Sequence, residues 1–216
     1  MKVRDCNKRV LYIHIPKCGG CSVVESLGYE DVLGTHHVVD TIQPIGAISH
    51  ATVHEYNTTE YDYIFTFIRN PFARAVSYFH WNKLMFSEYT SSNLRRLISD
   101  RHSSDHLDHI ICKYNQTANT YECFKDWVTA GIPGFRENTI NLYIDDSVKV
   151  FKIENTQSWP CLLQELNIIN SDKLKLQHTN QSSCDIYTSY YDNKTRMLMG
   201  YFFRNDIEMF NYKFGD

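Results

Sequence analysis

Two apolar runs in this chain each end in a basic, turn-forming motif and then pass into an amphipathic stretch, a repeated crossing that narrows the possible folds more than any other feature. In the first, Val10 to Ile15 reads as a buried strand that leads into Pro16-Lys17-Cys18-Gly19-Gly20-Cys21-Ser22, and Cys21 to Leu27 follows as a helix closed by Gly28. In the second, Tyr61 to Ile68 leads into Arg69-Asn70-Pro71-Phe72-Ala73-Arg74-Ala75-Val76-Ser77. Pro71 suits a first helical turn, and Phe72, Val76 and Phe79 continue at helical spacing. A glycine-rich turn opening a helix aims backbone N–H groups at one spot, the helix dipole adds positive potential there, and Lys17 adds a full charge. The first crossing is thus an anion cradle and the second delivers further basic and hydroxyl groups. Two anion sites imply a ligand with two separated phosphates.

The 216 residues suit a single α/β domain over 1–216, and 43% hydrophobic with 14% aromatic content supports a sizeable core. A formal charge of −3 argues against nucleic acid as a partner, so positive potential must be local. No apolar run approaches the ~20 residues needed to cross a bilayer, and the charged stretch from Met1 to Arg9 lacks a secretory core. The expectation is no membrane segment and a cytoplasmic setting. Seven scattered cysteines without an export signal suit reduced thiols better than a disulfide framework.

Elsewhere the patterning predicts a third strand over Ser147 to Ile153 and helices over Ala51 to Tyr56, Tyr121 to Ala130 and Trp159 to Leu166. Gly131, Pro133 and Gly134 stop the second of these helices. Asp31 to Val39 is strand-like and leads to a turn at Pro44 and Gly46, while Ser91 to His109 is polar and helical. Between Asp192 and Phe210, the spacing of Met197, Leu198, Tyr201, Phe202 and Ile207 predicts a core-facing helix and its continuation.

Lys17 precedes the glycines, whereas a nucleoside-triphosphatase loop of the form Gly-x-x-x-x-Gly-Lys-Ser/Thr places the lysine after them. The chain resembles instead the sulfotransferases that use 3′-phosphoadenosine 5′-phosphosulfate (PAPS), in particular the carbohydrate group that includes heparan and chondroitin enzymes and bacterial relatives. Pro16 to Ser22 is similar to that family's Pro-Lys-Thr-Gly-Gly-Thr-Ser, and Arg69 to Ser77 to its Arg-Asn-Pro-x-x-Arg-x-x-Ser. Further likeness runs through Ser49 to Tyr56, Phe151 to Asn155, His178-Thr179-Asn180, Tyr190-Tyr191-Asp192 and Asp206 to Tyr212.

The resemblance implies a P-loop-like three-layer sandwich, a central parallel sheet flanked by helices, with both phosphate sites at the carboxyl ends of strands. It implies PAPS as co-substrate, no metal, and a hydroxyl acceptor on a glycan. Lys17, Cys18, Gly19, Gly20, Cys21 and Ser22 would then hold the 5′-phosphosulfate, and Arg69 and Ser77 the 3′-phosphate. Lys17 would stabilise the leaving phosphate, and His50 is the first choice of general base, with His54 and Glu25 in reserve. Both family threonines are cysteines here, so Cys21 offers a weak thiol donor where relatives have a hydroxyl. Arg74 could reach the 3′-phosphate or pair internally with Glu154.

Two rivals come from other classes. Cys18-Gly19-Gly20-Cys21 is a Cys-x-x-Cys at a helix start after a strand, the arrangement of thiol–disulfide redox proteins. An inactive nucleotide-binding module would keep Lys17, Arg69 and Ser77 and lose the base. Zinc would need His36 and His37 beside the two cysteines, and adjacent histidines do not normally point the same way. His102, His106 and His109 share a helix face, as a solvated face also would.

Overall fold

The computed structural model describes residues 6–27, 50–88, 120–132, 135–136, 138–168, 174–176 and 186–216, with backbone alone for 82–88 and 120. The readings for Gly28, Asp31 to Val39, the Pro44 and Gly46 turn, Ser49, Ser91 to His109, Pro133, Gly134 and His178-Thr179-Asn180 lie outside these residues.

Among the described residues the chain forms two compact units, one from 1–70 and 139–181, the other from 71–138 and 182–216. The first holds three strands, β1 (Val10–Tyr12), β2 (Tyr63–Ile68) and β3 (Lys149–Lys152), all parallel and in the order β1-β2-β3. Leu11 pairs with Ile64 and Phe67 with Phe151, which fixes the register on either side of the central strand. Every residue of β1 is buried, and in β2 only Tyr63 is not. Continuous apolar runs of this kind are what a parallel sheet covered on both faces requires.

Strand alternation sends Val10, Tyr12, Phe65, Phe67 and Phe151 into one core. Val23 and Leu27 from the first helix, α1 (Gly20–Ser26), meet them there, with Trp159, Leu162 and Leu163 from a helix after β3 (Ser158–Glu165). Each such side chain contributes about 1.5–3 kcal/mol when fully buried. The result is a parallel sheet flanked by helices, an α/β sandwich.

The second unit is helical. It contains α2 (Pro71–Glu88), α3 (Thr120–Thr129), α5 (Asn193–Phe202) and α6 (Arg204–Met209), α4 being the helix after β3. Phe79, Phe124, Trp127, Phe135 and Phe203 form its aromatic core. Asp192 caps α5 by accepting from Thr195 N–H at 2.8 Å. Two of the residues expected to face the core do not, since Met197 and Tyr201 are 73% and 70% exposed. The inward stripe is Thr195, Met199 and Phe203, four residues apart, and it turns the neighbouring positions 197 and 201 to solvent.

Candidate active site

The first motif is shaped by what happens where β1 stops. One further ladder bond, from Ile13 N–H to the Phe65 carbonyl at 2.9 Å, carries the pairing past Tyr12. The buried Thr66 hydroxyl donates to the Ile13 carbonyl at 2.7 Å and ties the strand end to β2. The chain then turns sharply. Lys17 has φ 64° and Gly19 φ 79°, both left-handed, and for the lysine that region costs about 1–2 kcal/mol. A side chain at Gly19 would run into Ile153 beyond β3, and one at Gly20 into the imidazole of His14. The two glycines are therefore dictated by close approach, and the turn is held between the ends of β1 and β3.

Burial pushes the Lys17 ammonium down to about 8, and the nearby charge of Arg69 acts in the same direction. Cys21 and Cys18 oppose the shift, Cys21 more than Cys18. Cys18 is wholly buried and Cys21 partly exposed, and neither is in a disulfide. Ser22 is buried on α1, and Glu25 lies exposed on its last turn.

Arg69 leaves the end of β2, the same carboxyl edge of the sheet from which the first motif emerges from β1. Asn70 beside it is fully buried, and its N–H donates to Glu154 Oε1 at 2.6 Å. Glu154 thereby acts as a clasp between the end of β2 and the turn after β3. In the second unit, Ser77 is half-buried on α2. Arg74 is fully buried there, its guanidinium over the Phe135 ring at 5.0 Å and its Nη1 donating to the Asn138 carbonyl at 2.6 Å. These contacts make Arg74 part of the interior of its own unit.

His50 Nδ1 donates to the main-chain oxygen of His14 at 3.0 Å, and the two rings meet edge-on with centroids 4.7 Å apart. A carbonyl can only accept, so the proton sits on Nδ1 and the basic lone pair of the neutral ring on Nε2. His54 is placed differently. It stands exposed on the 3-10 turn Val53–Glu55, with Nδ1 3.9 Å from Asp145 Oδ2. Hydrogen bonds from Ser147 hold the Asp145 carboxyl below its usual range, and His54 adds to that. Among the described residues no group of three or more His, Cys, Asp or Glu side chains could hold a metal ion.

The sequence profile of the sulfotransferase family matches residues 3–161, which contain both motifs and all three strands. The chain belongs to the sulfotransferase family. Curated proteins and solved structures give no match. Membership assigns this sulfotransferase the general chemistry of sulfuryl transfer. Within its first unit, Lys17 lies close enough to Arg69, Cys18 and Cys21 for them to act on its titration, and Gly20 packs on the His14 ring. His14 was not singled out from the sequence. Its signal was present in the alternation that puts Tyr12 and His14 on one side of the chain, where their rings stack at 5.8 Å. Among the described residues no helix is long and apolar enough to cross a membrane.

Proposed function

We propose that this sulfotransferase, acting as one domain over 1–216, moves the sulfuryl group of PAPS to an acceptor hydroxyl on a carbohydrate. The observation that carries the reading is a glycine-pinned turn that holds a desolvated lysine and packs through Gly20 on His14, whose main-chain oxygen accepts from His50 Nδ1. PAPS supplies an activated sulfuryl group on a phosphate leaving group. Lys17 balances the charge that grows on the departing phosphate oxygen, and the backbone of Gly19, Gly20 and Cys21 with the Ser22 hydroxyl receives the 5′ end. Arg69 and Ser77 take the 3′-phosphate, the arginine through its two-pronged guanidinium. Gly19 and Gly20 let the turn close against Ile153 and His14, which supports a fixed backbone for this assignment.

His50 Nε2 takes the proton of the acceptor hydroxyl as the new S–O bond forms and the sulfur–phosphate oxygen bond breaks, with adenosine 3′,5′-bisphosphate as the second product. His54 and Glu25 remain reserve bases. Radiolabelled sulfate transfer from PAPS to a panel of glycans, lipids and small phenols tests reaction and acceptor together. Labelled glycan is the expected product. Labelled phenol or lipid alone would remove the carbohydrate assignment. No label on any acceptor, with no retention on immobilised adenosine 3′,5′-bisphosphate, would remove the donor.

A further inference from the structure

We propose that His14 is a positioning residue for His50, an inference that rests on His50 being the general base. His14 meets His50 twice. Its main-chain oxygen accepts the Nδ1–H at 3.0 Å, and its ring lies edge-on to the His50 ring at 4.7 Å and 68°. The backbone contact selects the tautomer, but a single hydrogen bond leaves the imidazole able to swing about the N–H···O direction. The ring contact restricts that swing.

The His14 ring is itself held from two other directions. Its Nε2, Cδ2 and Cε1 atoms fill the space where any side chain at position 20 would sit, so the imidazole lies against the bare Cα of Gly20 at the start of α1. On another side it stacks on Tyr12 at 5.8 Å and 20°. Tyr12 belongs to β1 and is 3% exposed within the sheet core, which makes it a rigid support. A chain of contacts therefore runs from the core through Tyr12 and His14 to His50, with the motif turn packed on the middle ring. The ring of His14 couples the orientation of the base to the turn that receives the donor. General-base catalysis depends steeply on such alignment, and a displacement of about 1 Å can cost about a hundredfold.

The test compares His14→Ala, His14→Gln and His50→Ala in steady-state sulfate transfer, with adenosine 3′,5′-bisphosphate binding as a check on the fold and the donor site. His14→Ala is expected to lower kcat roughly ten- to a hundredfold while KM for the donor and nucleotide binding stay within about twofold. His14→Gln reaches as far toward Gly20 without titrating, and it should recover most of the loss. In the His50→Ala background, removing the His14 side chain should cost nothing further, because there is no base left to orient.

Equal damage from Gln and Ala would overturn the positioning role, since it would require a titrating imidazole at 14. Additive losses in the double variant, or full activity in His14→Ala, would overturn it as well. Failure of the underlying reading looks different: His50→Ala would itself retain full turnover. Should His14→Ala not bind the nucleotide, the Gln variant and its double with His50→Ala decide the question alone. Loss of nucleotide binding in His14→Gln too would overturn the proposal in favour of a role in holding the turn.

Discussion

The N–H of Asn70 and the carboxylate of Glu154 meet at 2.6 Å, joining the residue after Arg69 to the turn that follows β3. Asn70 is fully buried, while Glu154 is exposed and reaches in to accept its N–H. Glu154→Ala should destabilise the protein by about 0.5–1.5 kcal/mol, the net contribution of one hydrogen bond, while Glu154→Gln keeps an acceptor and much of the stability. Thermal or urea unfolding measures both. Equal stability of the alanine variant and the wild type would show that the clasp contributes nothing.

Replacing the proposed base separates chemistry from binding. His50→Ala should lower turnover by at least ~100-fold with nucleotide affinity unchanged. His54→Ala, at an exposed site paired only loosely with Asp145 at 3.9 Å, should leave turnover within a few-fold. A reversal of these two outcomes would move the base to His54.

Lys17 gives a pH signature with a definite sign. With its ammonium at about 8, the charge proposed to balance the leaving group is lost as pH rises through that value, so kcat/KM for the donor should fall there. Lys17→Arg should lower the rate overall but abolish this alkaline fall, because guanidinium stays charged. The stability trend runs the other way. The folded state releases the proton near 8 and the unfolded state near 10.5, so the unfolded chain binds more protons in that window and Lys17 makes stability rise with pH across it. The difference between wild type and Lys17→Met in unfolding experiments at pH 7 and pH 10 reads this directly; no difference at either pH would contradict the burial of the charge.

Gly20 should tolerate nothing larger. Gly20→Ala places a methyl group in the His14 ring and should cost about 1–3 kcal/mol together with most nucleotide binding, as overpacking does elsewhere. Binding calorimetry against adenosine 3′,5′-bisphosphate is the direct measurement, and undiminished heat would mean that His14 moves aside freely.

Cys21→Thr distinguishes sulfuryl transfer from thiol chemistry. A hydroxyl is a better donor than a thiol, so the variant should hold the nucleotide as tightly as the wild type or tighter, and sulfate transfer should persist. Loss of activity, with rescue only by a thiol at position 21, would instead support the redox alternative.

The extent to which this architecture could be read from the residues follows from how local each signal is. The apolar runs at Val10 and Tyr63 announce two buried strands, and the third, Lys149–Lys152, is legible by its alternation, with Phe151 inward and Lys149 exposed. Their ends were overextended, since Ile13 and Ile153 each add one ladder bond without a strand's continuation. The motif turn is legible as a glycine turn between a strand and a helix, and its glycines carry a constraint, contact with Ile153 and His14, that only packing reveals. Met197 and Tyr201 misled because they share apolar character with a stripe whose true first member, Thr195, is polar and buried by its capping bond. The His14–His50 contact spans 36 positions, a distance at which no periodicity operates.

Strand pairing also sets what can vary. Tyr12 sits against Phe65 in the ladder, so the exits from β1 and β2 stay side by side however long or short the chain between them becomes. The spacing of Lys17 and Arg69 accordingly rests on the pairing of β1 with β2 and not on the number of residues that separate them. The sheet edge that carries Lys17 and Arg69 is thus anchored by backbone pairing, a restraint that side-chain substitution does not loosen.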